Sequence, residues 1–192
     1  MIDVVNEPIH KPPVWKDAIG GDGSSGWDWV IWSFEQARKL FPNAVLMINE
    51  YGIINDPQKM DKYLGIVKLL QDKNLIDGIG IQSHCFNVDN MSASNLKKNL
   101  DKLAEAGLPI YPSELDIRGD DKTQLERYKT IFPILWEHKA VKGVTIWGYR
   151  QGECWKEDTW LRSSDGQERS ALKWLQGYVS GENRTYKLNA MG

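Results

Sequence analysis

The sequence predicts an α/β fold in which strands and helices alternate along one chain. Short apolar runs of strand length recur, segments of helical periodicity separate them, and polar residues stand where the runs end. Strands that are separated by helices pair in parallel, through right-handed crossovers. We therefore expect a sheet or barrel built from successive β-α units.

Five apolar runs are the strand candidates. They are short and almost wholly apolar, as is typical of strands that are buried on both faces of a parallel sheet. The predicted strands span residues 2–5, 44–49, 78–82, 110–117 and 143–147.

Local signals mark the ends of the helix candidates. Asp56 followed by Pro57 is a typical N-cap and first turn, and Gly107 is a typical stop. Pro133 falls inside a helical segment and should kink it. The predicted helices span residues 27–40, 56–72, 92–106, 122–138 and 169–178.

The composition limits which domain organisation and which partners are expected. The 192 residues are 41% apolar and 26% charged, which predicts one globular domain over residues 1–180 and a polar C-terminal tail over residues 181–192. No basic stretch interleaves with aromatic residues, so nucleic acid is not expected as a partner. No apolar run approaches the ~20 residues of a membrane span, and residues 1–7 lack the features of a secretion signal.

The two cysteines, Cys85 and Cys154, leave two states open. They could form a disulfide or remain free thiols, and the second state is favoured. No residue spacing indicates a metal site, so no metal ligands are predicted.

Polar residues follow every predicted strand. Barrels of β-α units place their chemistry at the carboxyl ends of the strands, and open parallel sheets bind ligands at the same edge. The residues at this edge are Asn6, Glu7, Asn49, Glu50, Gln82, His84, Glu114, Asp116 and Trp147.

Two glutamates at this edge suggest a specific chemistry. Glu7 ends the first predicted strand and Glu114 ends the fourth. Taken alone, each carboxylate is better explained as a turn cap or an arginine partner. Together, with Gln82 and His84 on the same edge, they favour hydrolysis of a glycosidic bond, which uses one carboxylic acid and one carboxylate. We predict a carboxyl separation of ~5–5.5 Å, the spacing for retention of configuration.

The nine tryptophans have two explanations, a large core or a cleft in which flat rings stack on sugars. Trp147, Trp155 and Trp160 fall in a stretch that is rich in Gly, Glu and Asp. A core segment would not be so polar, so the cleft is the favoured interpretation.

Five motifs in order resemble segments of family 10 glycoside hydrolases, which are retaining endo-β-1,4-xylanases. They are VVNE at 4–7, NEY at 49–51, DGIGIQSH at 77–84, SELDI at 113–117, and Trp147-Gly148 with Trp155 eight positions on. The resemblance spans residues 2–178. It implies part of a (β/α)8 TIM barrel, with strands that match the fourth to the eighth.

The resemblance implies roles for the two glutamates and their neighbours. Glu7 would be the acid/base and Glu114 the nucleophile. His84 would orient Glu114, and Asn6 would bind the 2-hydroxyl of the reacting sugar. Gln82 would contact the same region.

The resemblance also implies the surroundings of the reacting sugar. Trp147 and Trp155 would form apolar walls, Tyr51 would lie on the leaving-group side, and Asp116 would support its strand end. Residues 149–154 depart from the family, which usually carries Asp and Ser before the second tryptophan. His10 is interpreted as a solvated loop residue rather than a substrate contact.

The expected substrate is xylan or a xylo-oligosaccharide, without cofactor or metal, and the parent enzyme would be extracellular or in the cell envelope. Strands matching the first three of the barrel are absent, which leaves two open sheet edges. The alternative is therefore a truncated half-barrel that binds carbohydrate without catalysis or needs a complementing N-terminal segment. A homodimer could also cover the open edges.

Overall fold

The computed structural model describes residues 1–182, and these form a parallel sheet flanked by helices. The sheet has four strands in the order β1-β2-β3-β4, which are Ile2–Asn6, Leu46–Glu50, Gly78–Ile81 and Ile110–Pro112. The helices are α1 (Asp28–Leu40), α2 (Pro57–Gln71), α3 (Cys85–Val88), α4 (Ala93–Ala104), α5 (Asp121–Glu137) and α6 (Ser170–Ser180). The predicted α/β class is confirmed. Residues 183–192 of the predicted tail lie outside the described residues.

Strands that follow one another in the chain also pair in the sheet, as in part of a (β/α)8 barrel. Asn6 pairs with Asn49, and Asn49 pairs with Gly80. The carboxyl ends of neighbouring strands are therefore level, and the residues that follow them lie at one edge.

The core lies between this sheet and the helices. Leu46 and Ile48 of β2 are fully buried, as expected for a central parallel strand. The buried Tyr63 hydroxyl of α2 shares its one proton between the carbonyls of Ile48 (2.9 Å) and Gly80 (3.1 Å). These bonds tie α2 to both β2 and β3 just before the strands reach the functional edge.

Among the described residues, the predicted fifth strand does not form a continuous ladder. Its segment meets the chain around β4 at two isolated parallel bridges, Ile110 with Val141 and Leu115 with Ile146. β4 itself ends at Pro112, five residues earlier than predicted. Pro112 has no N–H to donate, which interrupts the ladder between the two bridges.

α5 is one continuous helix that contains Pro133, in agreement with the predicted helix over residues 122–138, and the kink at Pro133 stays a prediction. One helical feature differs from the predictions. The four-residue α3 was not predicted and begins directly after His84. Both cysteines are free thiols, with Cys85 buried and Cys154 half-buried. No helix within residues 1–182 has the length and apolar character needed to cross a bilayer.

Candidate active site

Backbone hydrogen bonds extend the sheet pattern past the strand ends. The amide of Glu7 donates to the carbonyl of Asn49 (2.8 Å), and the amide of Glu114 donates to the carbonyl of Gln82 (3.0 Å). Glu7 has a φ of 56°, which lies in the left-handed region and is energetically unfavourable for residues other than glycine. The chain thus turns sharply where its side chain enters the site.

A network of side-chain amides connects the two glutamates. Asn49 Nδ2 donates to Glu114 Oε1 (2.9 Å) and to Asn6 Oδ1 (3.0 Å). Gln82 Nε2 donates to the same Asn6 oxygen (3.2 Å) and to Glu7 Oε1 (3.0 Å). The carboxylates of Glu7 and Glu114 are therefore joined through three amide side chains, and all five lie at one edge of the sheet.

His84 lies between two carboxylates. Its Nε2 is 3.3 Å from Glu114 Oε2, and its Nδ1 is 3.1 Å from Asp116 Oδ2. Burial lowers the pKa of His84, but the hydrogen bonds to Asp116 and Glu114 outweigh this effect and raise it to about 9. At neutral pH the ring is an imidazolium, which donates through both nitrogens and fixes the orientation of Glu114.

Asp116 anchors three groups on the far side of His84. Besides the imidazole, it accepts hydrogen bonds from the backbone amide of Cys85 and from the indole Nε1 of Trp155. Its side chain is almost fully buried. Asp116 therefore couples the positions of His84 and Trp155.

Exposed aromatic rings surround His84. The ring centroids of Trp155, Phe86 and Trp147 lie 4.7, 5.7 and 6.5 Å from the imidazole centroid. All three side chains are roughly half exposed. Flat, exposed rings beside a carboxylate pair can stack on the apolar faces of sugar rings. Trp160 differs, because its ring packs against Arg169, with 4.4 Å from the guanidinium carbon to the ring centroid.

The loop after Glu7 is held by hydrogen bonds to the buried side chain of Glu50. Glu50 is fully buried and accepts hydrogen bonds from the amides of Ile9 (2.8 Å) and Tyr51 (2.9 Å) and from His10 Nδ1 (2.8 Å). The His10 ring stacks on Tyr51 at 3.9 Å, and its side chain is 13% exposed. The interpretation of His10 as a solvated loop residue was wrong, since Glu50 and Tyr51 enclose it.

The structure brings most of the predicted site residues together. Hydrogen bonds or the His84–Glu114 ion pair connect five of them at the strand ends: Asn6, Glu7, Gln82, His84 and Glu114. The rings of Trp147 and Trp155 are neighbours of His84, and Tyr51 lies beside the loop that follows Glu7. Their roles toward a sugar stay predictions.

Sequence reasoning placed Asn49 and Glu50 at the functional edge but gave them no role, and it gave none to Ser113 or Phe86. Ser113 donates to Asn49 Oδ1 (2.7 Å) and directly precedes Glu114. Phe86 gave no signal, because its exposure depends on α3, which was not predicted.

The divergent segment at 149–154 forms its own contacts. Arg150 Nη1 lies 3.5 Å from Glu153 Oε1, and Cys154 Sγ donates to the carbonyl of Arg150 (3.2 Å). Residues 1–182 contain no group of three or more His, Cys, Asp or Glu side chains arranged to hold a metal ion.

Comparisons with known proteins agree with this geometry. The model of glycosyl hydrolase family 10 matches residues 1–178. Endo-1,4-beta-xylanase B of Cellvibrio japonicus is 35% identical over 180 residues, which cover 91% of this chain and 28% of the relative. Endo-1,4-beta-xylanase 2 of Arabidopsis thaliana is 33% identical over 202 residues, which cover 94% of this chain and 17% of the relative.

A solved structure extends the match to the fold. Xylanase 10B of Thermotoga petrophila, in complex with xylobiose, superposes with a TM-score of 0.78 at 25% identity. The superposition covers 93% of this chain and 59% of the xylanase chain, so the chain spans only part of the length of its relatives. The matched fold confirms the predicted partial (β/α)8 barrel. The chain belongs to glycosyl hydrolase family 10.

Proposed function

We propose that this chain carries the catalytic pair of a retaining endo-β-1,4-xylanase, with Glu7 as acid/base and Glu114 as nucleophile. The observation that supports this most directly is the amide network that joins the two carboxylates through Asn6, Asn49 and Gln82. Residues 1–180 would be the corresponding part of the catalytic domain.

The first step forms a covalent sugar ester. Glu114 attacks the anomeric carbon as the bond to the leaving oxygen breaks, and Glu7 gives that oxygen its proton. The His84 imidazolium and the Asn49 amide both point at the Glu114 carboxylate, which orients it for attack.

The second step releases the sugar. Glu7 takes a proton from water, the resulting hydroxide oxygen bonds to the anomeric carbon, and the ester bond to Glu114 breaks. Two inversions at one carbon give net retention. This mechanism depends on the predicted carboxyl separation of ~5–5.5 Å.

The remaining site residues would hold the substrate. Asn6, already bonded to Asn49 and Gln82, would present its amide to the 2-hydroxyl of the reacting sugar, an interaction that strengthens in the transition state. Trp147 and Trp155 would wall the same sugar, with Tyr51 on the leaving-group side.

The proposed substrate is xylan or a xylo-oligosaccharide. Two curated relatives are named endo-1,4-beta-xylanases, and the matched Thermotoga structure contains xylobiose. We also propose that the parent enzyme acts outside the cell or in the cell envelope, where polymeric xylan is accessible.

A reducing-sugar assay on the purified chain tests the activity. We expect release from xylan above that from β-glucan and carboxymethylcellulose, and loss of at least about a thousandfold in Glu114→Ala. The matched control is Glu105→Ala, which removes an exposed glutamate of the α4 end. NMR of the first product should show the β-anomer. An α-anomer would contradict retention, and equal rates in parent and Glu114→Ala would contradict the assigned nucleophile.

A second candidate is a half-barrel that binds carbohydrate without turnover, or that needs a complementing N-terminal segment or a homodimer. Within the described residues, β1 pairs only with β2. An apolar groove of about 560 Å³ also lies open beside the predicted fifth strand, lined by Phe132, Trp136, Ile146 and Leu175 among others. Light scattering shows whether the chain is a monomer or a dimer. Repeating the assay after addition of an N-terminal segment from a family 10 relative shows whether the chain needs that segment for activity. A monomer that turns over xylan alone contradicts this candidate.

A further inference from the structure

The imidazole of His10 is enclosed by the last residue of β2 and the two residues that follow it. Its Nδ1 lies 2.8 Å from Oε1 of Glu50, and the ring of Tyr51 stacks on its face, with centroids 3.9 Å apart and an interplanar angle of 22°. A Cβ built on Gly52 would lie 3.6 Å from Cε1 and 3.8 Å from Nε2 of His10, so the Gly52 backbone borders the remaining edge. The imidazole is therefore held on two edges and on one face.

Neither ring nitrogen of His10 is free to act on a ligand. Nδ1 is bonded to Glu50, which is fully buried. Nε2 is buried and has no hydrogen-bond partner within residues 1–182. A buried polar atom without a partner costs folding free energy, so an imidazole at this position needs a compensating role. An amide side chain would also donate to Glu50, and only the ring adds a surface on which Tyr51 can stack.

A short turn joins His10 to the proposed acid/base. The amide of Lys11 donates to the carbonyl of Glu7 (2.8 Å), which closes a turn on which His10 lies three positions after Glu7. The stack of His10 on Tyr51 therefore limits how Tyr51 can move relative to Glu7.

Tyr51 has a second ring neighbour and a protonated hydroxyl. The ring of Phe86 meets it edge to face, with centroids 5.8 Å apart and an interplanar angle of 80°. Burial raises the pKa of the Tyr51 phenol, and the negative charges of Glu7 and Glu50 raise it further. The phenol therefore keeps its proton at neutral pH and can donate a hydrogen bond to a sugar oxygen. Tyr51 offers a donor and a flat ring whose orientation is set by two neighbouring rings.

We infer that His10 is a positioning residue for the leaving-group side of the site. Its ring, held by Glu50, keeps Tyr51 in the orientation in which Tyr51 contacts the departing sugar. Both of its nitrogens face the protein, so His10 acts on the substrate through Tyr51. The inference rests on the proposed function, which assigns Tyr51 to the leaving-group side.

Two substrates separate this role from a general loss of structure. A xylo-oligosaccharide has a sugar as its leaving group, whereas β-xylobiosyl fluoride releases a single fluoride ion and needs no contact with Tyr51. His10→Asn keeps an N–H for Glu50 near the position of Nδ1 but removes the stacked ring. We expect kcat/KM on the oligosaccharide to fall by about three- to tenfold, mainly through a higher KM, and kcat/KM on the fluoride to stay within about twofold. Equal losses on both substrates, or no loss on the oligosaccharide, would overturn the inference.

A control variant and a rescue variant accompany this test. His138→Asn makes the same change at a histidine whose Nε2 lies 3.2 Å from Asp101, and it should alter neither value of kcat/KM. His10→Phe keeps a ring on Tyr51 but loses the bond to Glu50, and it should stay within about threefold of the parent chain on the oligosaccharide. This variant decides the question even if His10→Asn does not fold, because a larger fall in His10→Phe would show that the stacked ring is not what matters.

The double variant His10→Asn/Tyr51→Ala shows whether His10 acts through Tyr51. Tyr51→Ala alone should lower kcat/KM on the oligosaccharide at least as far as His10→Asn does, and adding His10→Asn should then cost less than about a further twofold. If the two losses multiply instead, the inference is overturned while the xylanase proposal stands. If the parent chain hydrolyses neither substrate, the proposed function fails and the positioning role fails with it.

Discussion

The imidazole Nε2 of His84 lies 3.3 Å from Oε2 of Glu114, while its other nitrogen lies 3.1 Å from Asp116. A cation enclosed by two carboxylates stabilises both negative charges and is itself stabilised by them. The proposed nucleophile therefore has a fixed orientation before substrate binds, and its position depends on residues 30 positions away in the chain.

The contacts of His84 with Glu114 and Asp116 predict how the stability of the fold depends on pH. Burial opposes the charge on His84, but the bonds to Asp116 and Glu114 raise its pKa from 6.5 to about 9. A raised pKa in the folded state stabilises the fold fully below pH 6.5, and this contribution is lost as the pH rises through about 9. Urea denaturation of the parent chain should show a falling free energy of unfolding across this window.

Two variants isolate the source of that slope. His84→Asn should remove most of the fall in unfolding free energy between pH 6.5 and 9. His138→Asn, which replaces a histidine bonded to Asp101 at 3.2 Å, should keep it. A slope that survives in His84→Asn would show that other groups cause it.

Asn49 is predicted to be as important for activity as the residues to which the family resemblance gave a role. It is almost fully buried and donates to both Asn6 and Glu114. Asn49→Ala leaves buried partners unsatisfied, so we expect a loss of about 1–3 kcal/mol in unfolding free energy and a lower kcat on xylan. Ser113→Ala removes a single hydrogen bond to Asn49 and should cost less in both measurements. Parental kcat in Asn49→Ala would contradict its role in holding Glu114.

A single methyl group at Gly80 should disturb the same network. A Cβ built there would lie 2.6 Å from Asn49 Oδ1, closer than real contacts allow, and 3.0 Å from the carbonyl of Ile48. Gly80→Ala should therefore cost about 1–3 kcal/mol in unfolding free energy and displace Asn49. Gly65→Ala is the matched control, because that exposed position in α2 has nothing within 4 Å and should gain up to about 1 kcal/mol. Similar melting temperatures for the two variants would contradict this account.

The buried Glu50 should control the loop that follows Glu7. Glu50→Ala removes the acceptor of Ile9, His10 and Tyr51, so we expect a loss of about 1–3 kcal/mol or more in the free energy of unfolding and faster hydrogen exchange at the Ile9 and Tyr51 amides. Glu50→Gln keeps one oxygen acceptor, so its free energy of unfolding should lie between those of the parent chain and Glu50→Ala. Amide hydrogen exchange measures this, and unchanged protection of the Ile9 amide in Glu50→Ala would show that other contacts hold the loop.

The regular elements could be predicted because their signals are local. Asp56 caps α2 through the amides of Gln58 and Lys59, as its position before Pro57 indicated. The prediction of a continuous fifth strand was wrong because its pairing depends on β4, where Pro112 has no N–H to donate. His10 was misjudged for a similar reason, since its partner Glu50 lies 40 positions away.

The sequence by itself determined the alternation of strands and helices, the family and the placement of Glu7 and Glu114 at strand ends, because these follow from short-range pattern and motif. Tertiary structure alone decided that Asn49 donates to Glu114, that Glu50 bonds to His10, and that the ring of Phe86 lies 6.0 Å from that of Trp155. Those contacts join residues 65, 40 and 69 positions apart. Such contacts exist only once parallel pairing has brought the strand ends level, and no local pattern encodes that register.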